Sequence, residues 1–194
     1  MSERRLPSRA ELDAARSLTI PDVIAPDLRV LFIGINPGLV SAATGHHFAR
    51  PGNRFWATLH GAGFTPRVLR PDEDGSLPRF GLGVTNLVPR ATAVASELSD
   101  GELQAGAARI RRIVAEVRPA FVAFVGVTSY RTAFDRPSAI VGLQPEPLAG
   151  SAVWVLPNPS GLNAHYQLRD LIPLFRELRA AAFGAEPDAG LDSA

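Results

Sequence analysis

The sequence contains neither cysteine nor lysine, and each absence removes a class of chemistry. Without cysteine, the chain cannot form a disulfide, a thiolate zinc site or a cysteine nucleophile. Without lysine, it cannot form a Walker A phosphate loop or a Schiff base on a lysine side chain. The Lys+Arg total of 20 is therefore all arginine, and 19 acidic residues leave a formal net charge of only +1. A surface that binds a polyanion would need its arginines gathered on one face.

Long apolar runs are also missing. No stretch approaches the roughly 18 apolar residues that a membrane-spanning helix requires. The arginine-bearing segment 1–16 is polar and has no apolar core behind it. We therefore expect a cytoplasmic protein with no membrane partner. At 194 residues, of which 46% are hydrophobic, the chain is long enough for one well-buried core and too short for two ordinary domains.

Strand-like and helix-like segments alternate along the chain. Apolar, β-branched runs predict buried strands over 29–35, 83–88, 120–126 and 152–157. Helical spacing predicts helices over 54–62, from a capping box at Ser99 to Pro119, and over 168–178. This βαβα order predicts an α/β fold: a single-domain three-layer α/β/α protein with a mainly parallel central sheet. Segments 1–18 and 184–194 lack apolar periodicity, so we expect mobile extensions flanking a domain over 19–183.

Two predicted strands end in loops that each place an asparagine directly before a proline. The sequence GINPG occupies 34–38 after the first strand, and NPSGL occupies 158–162 after the last. Ligands of open α/β sheets bind beyond the carboxyl ends of the strands, so these loops indicate a candidate site. Proline biases the preceding asparagine away from the αR conformation, and glycine lets a ligand approach the backbone. Taken singly, each loop is more typical of an ordinary strand-terminating turn than of a ligand site.

Further motifs extend this pattern along most of the chain. They are GINPGL at 34–39, TGHHF at 44–48, PGNRFW at 51–56, GVTNLV at 83–88 and LPNPSGL at 156–162. In this order and spacing they resemble the uracil-DNA glycosylase superfamily, in particular its mismatch-specific uracil and thymine-DNA glycosylase branch. The resemblance runs from about Ile24 to Phe183.

The resemblance implies a DNA-repair enzyme of base excision repair. Such a monofunctional glycosylase flips uracil, chiefly opposite guanine, out of duplex DNA and hydrolyses its N-glycosidic bond to leave an abasic site. Thymine or ethenocytosine are further implied substrates. The resemblance also implies double-stranded DNA as partner, a monomer acting on the bacterial nucleoid, and no cofactor.

The resemblance places the catalytic asparagine at Asn36. In this branch its amide holds and orients the water that attacks the sugar C1′. An amide is not a strong base at neutral pH, so its contribution is positioning and stabilisation of charge. Because Asn36 is not a strong base, we expect slow catalysis. Slow catalysis is still chemically feasible, since uracil is a fair leaving group once N–H donors stabilise the negative charge that develops on it.

The resemblance also implies a pocket for the flipped base, formed by Gly34, Ile35, Ser41, His47, Phe48, Asn86 and Asn158. Phe48 takes the position of an aromatic ring that stacks on the base. Ser41 lies on the stretch that passes near C5 of the base, although simple helix capping explains it equally well. Asn86 either faces the pocket or satisfies a buried loop. Asn158 stands where the fast uracil-DNA glycosylases carry a histidine, so their strong electrophile at O2 is missing.

A DNA-intercalating loop is implied at Ser160, Gly161, Leu162 and Asn163. Leu162 takes the position of the wedge that fills the gap left by the flipped base, and an apolar side chain there offsets part of the unstacking cost. Gly161 and Asn163 lie where this loop meets the widowed guanine. Ala164 and His165 depart from the bacterial mismatch-specific enzymes, in which an arginine is expected near the wedge.

The remaining polar candidates have weaker patterns. Arginines that could contact phosphates, or simply lie on a solvated face, are Arg50, Arg54, Arg90, Arg131 and Arg136. Asn53 is expected to cap the helix that follows it. The pair His46 and His47 has only two further histidines in the chain and no convincing carboxylate partner, so we predict no metal site.

One function of another class also fits the same fold. It is a non-catalytic module that recognises damage or binds a nucleotide. A small α/β hydrolase fits poorly, because the sequence has no Gly-x-Ser-x-Gly elbow followed by an acid and a histidine.

Overall fold

The computed structural model describes residues 5–184. Its strands are β1 (Val30–Gly34), β2 (Leu82–Asn86), β3 (Phe121–Val125), β4 (Gly142–Leu143) and β5 (Ala152–Leu156). They form one five-stranded sheet in the order β2-β1-β3-β5-β4. All neighbours pair in parallel except the two-residue β4, which pairs antiparallel with β5 at one edge. The prediction of a mainly parallel sheet is confirmed.

The helices are α1 (Arg9–Ala14), α2 (Leu39–Thr44), α3 (Phe55–Gly61), α4 (Asp100–Val117), α5 (Val127–Phe134) and α6 (Leu168–Phe183). Short 3-10 segments occupy Ala15–Ser17, Pro71–Phe80 and Ala95–Glu97. The predicted capping box begins α4, since the Ser99 side chain accepts a hydrogen bond from the Glu102 backbone N–H. Within 5–184, no helix is both long and apolar enough to cross a membrane.

Alternate side chains of β1 enter different apolar clusters, one on each face of the sheet. Val30 and Phe32 join the cluster formed with α3 and α6, whereas Leu31 and Ile33 join the cluster formed with α4 and α5. This is the alternation that a strand covered on both faces produces. The predicted three-layer α/β/α architecture is therefore confirmed, and truncating a fully buried ring such as Phe32 to alanine would cost about 3–5 kcal/mol.

Several elements differ from the sequence-based expectation. The short helices α2 and α5, the 3-10 segment Pro71–Phe80 and the edge strand β4 were not predicted. Part of the predicted N-terminal extension forms α1 and the turn Ala15–Ser17, and Ala15 is buried against Ala42 and Ala91. Of the predicted extensions, residues 1–4 and 185–194 lie outside the described residues. Short elements, and elements whose buried residues are alanines, have no regular spacing of large apolar residues, so the sequence pattern does not reveal them.

The sheet order determines where a ligand can bind. β2 and β3 flank β1 on opposite sides. The connection that leaves β1 therefore runs to one side of the sheet, and the connection that leaves β3 runs to the other. A crevice opens at such a switch point beyond the carboxyl ends of parallel strands. Those ends carry both asparagine-proline loops and Asn86, which is the last residue of β2.

Candidate active site

A cavity of about 720 Å³ opens beyond the ends of β1, β2 and β5. This volume lies within the range usual for small-molecule sites. The predicted site residues that line it are Ile35, Asn36, Ser41, His47, Phe48, Asn86, Asn158, Ser160, Leu162 and Asn163. Gly34 and Gly161 do not line it but allow close packing behind it. A Cβ at Gly34 would meet Asn86 Oδ1 at 2.6 Å and Phe48 Cζ at 3.4 Å.

The Asn36 amide is fixed by acceptors on its nitrogen side. Its Nδ2 donates to Thr92 Oγ1 at 2.7 Å, to the Arg90 carbonyl at 2.9 Å and to the Pro37 carbonyl at 3.2 Å. Carbonyl oxygens only accept hydrogen bonds, so the nitrogen must face them. Asn36 also lines the cavity, and Oδ1 is thus the amide atom that it offers to a ligand.

Thr92 reaches Asn36 because the pairing of β1 with β2 continues beyond both strands. The Leu87 N–H donates to the Gly34 carbonyl at 2.8 Å, and the Thr92 N–H donates to the Pro37 carbonyl at 3.1 Å. Thr92 is almost fully buried and lines the same cavity. Sequence reasoning missed it, since a single threonine in a loop carries no local signal of this contact.

Phe48 places an aromatic ring at the cavity in a backbone conformation that bulky residues rarely adopt. Its φ is +52°, in the left-handed region. Such a conformation costs of order 1–3 kcal/mol and persists only where the surroundings enforce it. The ring stacks on Phe55 with centroids 3.9 Å apart and planes 22° apart, so α3 supports it from behind. The half-buried ring is available to stack on a flat ligand.

His47 fixes the orientation of a second cavity amide. Its Nε2 lies 3.0 Å from the Pro21 carbonyl, which can only accept, so Nε2 carries the proton. The bare Nδ1 then accepts from Asn86 Nδ2 at 3.5 Å. Asn86 Oδ1 lies on the side of Gly34, and Asn86 lines the cavity. Burial lowers the pKa of His47 below its usual 6.5, although the Pro21 carbonyl and Asp74 act to raise it.

Asp74 anchors the histidine loop to the Pro71–Phe80 segment. One carboxylate oxygen accepts from the His47 backbone N–H at 3.0 Å, and the other lies 3.2 Å from His46 Nδ1. The two histidines therefore have structural partners. Among residues 5–184, no cluster of His, Cys, Asp or Glu has a geometry suited to a metal ion.

The backbone of Asn86 is held separately by a partly buried ion pair. Arg109 donates to the Asn86 carbonyl at 2.8 Å and to Asp22 Oδ2 at 2.5 Å. The Thr85 hydroxyl donates to the other oxygen of Asp22 at 2.5 Å. The segment before β1 is thus tied to the end of β2, and Arg109, Asp22 and Thr85 were not candidates in the sequence.

Ser41 and Asn53 brace the cavity wall. The buried Ser41 hydroxyl accepts from the Ala49 N–H at 3.0 Å, which ties α2 to the loop that carries Phe48. Asn53 was expected to cap α3, but the N-cap is Arg54, and Asn53 Oδ1 accepts from the Phe55 N–H at 2.9 Å from one position before the cap. Both residues also line the cavity.

Residues 158–163, the wedge loop, form a self-bonded turn. Asn158 Oδ1 accepts from the Ser160 N–H at 2.9 Å, and Asn163 Nδ2 donates to the Asn158 carbonyl at 2.9 Å. An N–H only donates, so this bond engages the amide oxygen of Asn158 and leaves the amide nitrogen as the end that it can offer to a ligand. Leu162 is 60% exposed near the tip of the loop, where a wedge into DNA would have to be.

The candidate phosphate-binding arginines have different surroundings. Arg90 is bonded to Glu102, Arg131 to the Ala139 carbonyl and Arg136 to Glu146, whereas Arg54 is bonded to the wedge loop. Arg50 is exposed at the cavity rim, and its guanidinium makes no hydrogen bond or ion pair within residues 5–184. Arg50 therefore has the freest guanidinium of these arginines, whereas the Arg54 guanidinium is already engaged by protein groups.

Comparison with known protein families assigns the chain to one of them. The sequence model of the uracil DNA glycosylase superfamily matches residues 21–180, which is most of the chain. The chain belongs to the uracil DNA glycosylase superfamily. A solution structure of a Methanosarcina acetivorans protein, provisionally described as a uracil DNA glycosylase, is similar at 18% identity and a TM-score of 0.50. The match covers 84% of this chain and 98% of that one, and at this identity it shows a shared fold.

Superfamily membership supports the predicted DNA glycosylase role. The polar side chains that line the cavity include those of Asn36, Asn86 and Asn158. Among the described residues that line it, none carries a carboxylate. Amides neither take nor give a proton at neutral pH, so the cavity can act by positioning and hydrogen bonding.

Proposed function

We propose that this protein is a monofunctional, mismatch-specific DNA glycosylase of base excision repair. It flips uracil, chiefly opposite guanine, out of duplex DNA and hydrolyses the N-glycosidic bond to leave an abasic site. The observation that carries the proposal is the Asn36 amide, whose nitrogen is bonded to Thr92 and to the Arg90 carbonyl while its oxygen remains for a ligand. An oxygen fixed in this way is suited to hold a water molecule.

The proposed reaction is a displacement at C1′. The water oxygen forms a bond to C1′ while the bond between C1′ and N1 of uracil breaks and its electron pair goes to the base. Asn36 Oδ1 accepts a hydrogen bond from the water, whose proton is released to solvent. Because Asn36 is not a base, its contribution is orientation, which is worth most when the reacting atoms are already in line.

Base recognition follows from the fixed amides. Uracil carries a donor at N3, which suits Asn86 Oδ1, and an acceptor at O2, which suits Asn158 Nδ2. A donor at O2 also stabilises the negative charge of the leaving base. Unprotonated cytosine has an acceptor at N3 and would face Asn86 Oδ1 without a hydrogen bond, so the same orientation disfavours it. Stacking on Phe48 adds affinity without selecting among bases.

Discrimination against thymine is assigned to Ser41. Its bond to the Ala49 N–H fixes the side chain at the cavity wall, so it has little freedom to move away from a methyl group at C5. We infer that uracil is excised faster than thymine. The wobble geometry of a G·U pair lowers the cost of flipping relative to a stable pair.

Single-turnover excision assays test the proposal. Duplexes carrying uracil, thymine, ethenocytosine or hypoxanthine opposite each normal base are incubated with excess enzyme, and free base is measured. We expect uracil opposite guanine to be released fastest and Asn36→Ala to abolish release while the protein still folds cooperatively. Tight binding of the G·U duplex by the wild-type protein without release would instead support the non-catalytic module.

A further inference from the structure

Arg54 is the side chain that joins the wedge loop to the rest of the domain. Its Nη1 donates to the Ser160 carbonyl at 2.9 Å and to the Asn163 carbonyl at 3.2 Å. Its Nη2 donates to Gln167 Oε1 at 3.0 Å, at the residue preceding α6. The guanidinium therefore spans both sides of the loop and the start of the next helix, a geometry that its planar fork of donors allows.

Two backbone contacts complete the docking. The Arg54 N–H donates to the Pro159 carbonyl at 2.9 Å. Gly161 packs so closely that a Cβ there would lie 2.6 Å from the Gly52 carbonyl oxygen. The wedge loop thus rests on residues 52–54, and only a glycine at 161 permits this approach.

The same short segment also supports the base-stacking ring. Arg54 directly precedes Phe55, the first residue of α3, and Phe55 stacks against Phe48. One helix start therefore sets the positions of both the ring that would receive the base and the loop that would replace it in the duplex.

We propose that Arg54 is a positioning residue that holds the wedge loop in its inserting shape before DNA binds. This rests on the proposed function, and it replaces the expectation that Arg54 contacts phosphate. A loop ordered in advance loses less conformational entropy when Leu162 enters the duplex, so flipping is favoured. Arg54 then acts on flipping and leaves the bond-breaking step to Asn36.

The test separates flipping from chemistry. Arg54→Met keeps much of the side-chain length but donates no hydrogen bonds. Its single-turnover rate is measured on uracil in a G·U duplex and on uracil in an unpaired bubble, where no base pair must open. We expect a loss of about ten- to a hundredfold in the duplex and less than about threefold in the bubble. An equal loss on both substrates, or no loss, would overturn the proposal.

A fluorescence measurement makes the result independent of turnover. 2-Aminopurine beside the uracil brightens when the neighbouring base unstacks. We expect the wild-type protein to produce this rise and Arg54→Met to diminish it. If the wild type released no uracil from either substrate, the proposed glycosylase function would fail, whereas the fluorescence comparison would still decide the role of Arg54.

Further variants distinguish loop positioning from phosphate contact and from misfolding. Arg54→Lys retains the charge but cannot span the loop, so its rates should resemble those of Arg54→Met. The salt dependence of DNA binding by Arg54→Met should equal that of the wild type. A lost phosphate contact would lower the salt slope by about one. Gly161→Ala keeps the Arg54 side chain but should displace the wedge loop from residues 52–54. It should therefore show the same loss of rate on the duplex and little loss on the bubble. Arg67→Met, in which the replaced arginine pairs with Glu73, is the matched control and should behave as wild type.

Discussion

Replacing Thr92 by valine tests whether the orientation of the Asn36 amide controls the rate. Valine keeps the shape of threonine but removes the hydroxyl that accepts from Asn36 Nδ2 at 2.7 Å, the shortest of the hydrogen bonds on that nitrogen. The Arg90 and Pro37 carbonyls remain as acceptors. The amide should therefore keep its place but lose part of its angular restraint.

The expected magnitude follows from the value of one hydrogen bond. A net contribution of about 0.5–1.5 kcal/mol, lost entirely from the orientation of Asn36 in the transition state, lowers the rate about 2- to 13-fold. The effect should appear in the single-turnover rate on a G·U duplex and leave duplex affinity unchanged. Thr92→Ser, which restores a hydroxyl, should recover most of the rate.

The matched control is Thr65→Val. Thr65 is also buried, and its hydroxyl donates to the Arg67 carbonyl at 2.8 Å, but Thr65 does not line the cavity. It should lose similar stability without a change in rate. An unchanged rate for Thr92→Val, or an equal rate loss for Thr65→Val, would refute the positioning role of Thr92.

Two further measurements address the charged and titrating groups. Arg50→Ala should lower the slope of log affinity against log salt by about one, with Arg67→Ala unchanged, and equal slopes for Arg50→Ala and wild type would exclude a phosphate contact by Arg50. Because burial lowers the pKa of His47, the unfolded state binds its proton more readily, and the free energy of unfolding should fall as the pH drops below the usual 6.5. Thermal unfolding of His47→Gln should lose that part of the pH dependence, and an unchanged dependence would contradict the neutral assignment.

The parts of the fold that could be predicted are those whose signals are local. The run at β1, and the capping box with periodic apolar residues of α4, are determined by a few neighbouring residues. α2 has only six residues and buries a serine and an alanine, so its pattern carries no helical period. Tertiary packing, not propensity, stabilises such short helices.

The site divides in the same way. Asn36 and Phe48 belong to motifs that can be read along the chain, whereas Thr92 lies 56 residues from its partner and is brought there by strand pairing. Arg54 shows the opposite error. An arginine in a polar loop is expected to face solvent or phosphate, and only the path of a loop more than 100 residues later in the chain converts it into an internal anchor.

Under the proposed function, the fixed amides would let the cavity recognise uracil by hydrogen bonds, without a carboxylate among its described lining residues. Each amide has one end bonded to the protein: Asn36 and Asn86 through nitrogen, and Asn158 through oxygen. The ends that remain are two acceptors and one donor. A water molecule and N3–H of uracil require acceptors, and O2 requires a donor. Free amides could rotate to suit several bases, so selectivity lies less in Asn86 and Asn158 themselves than in the groups that stop them from turning.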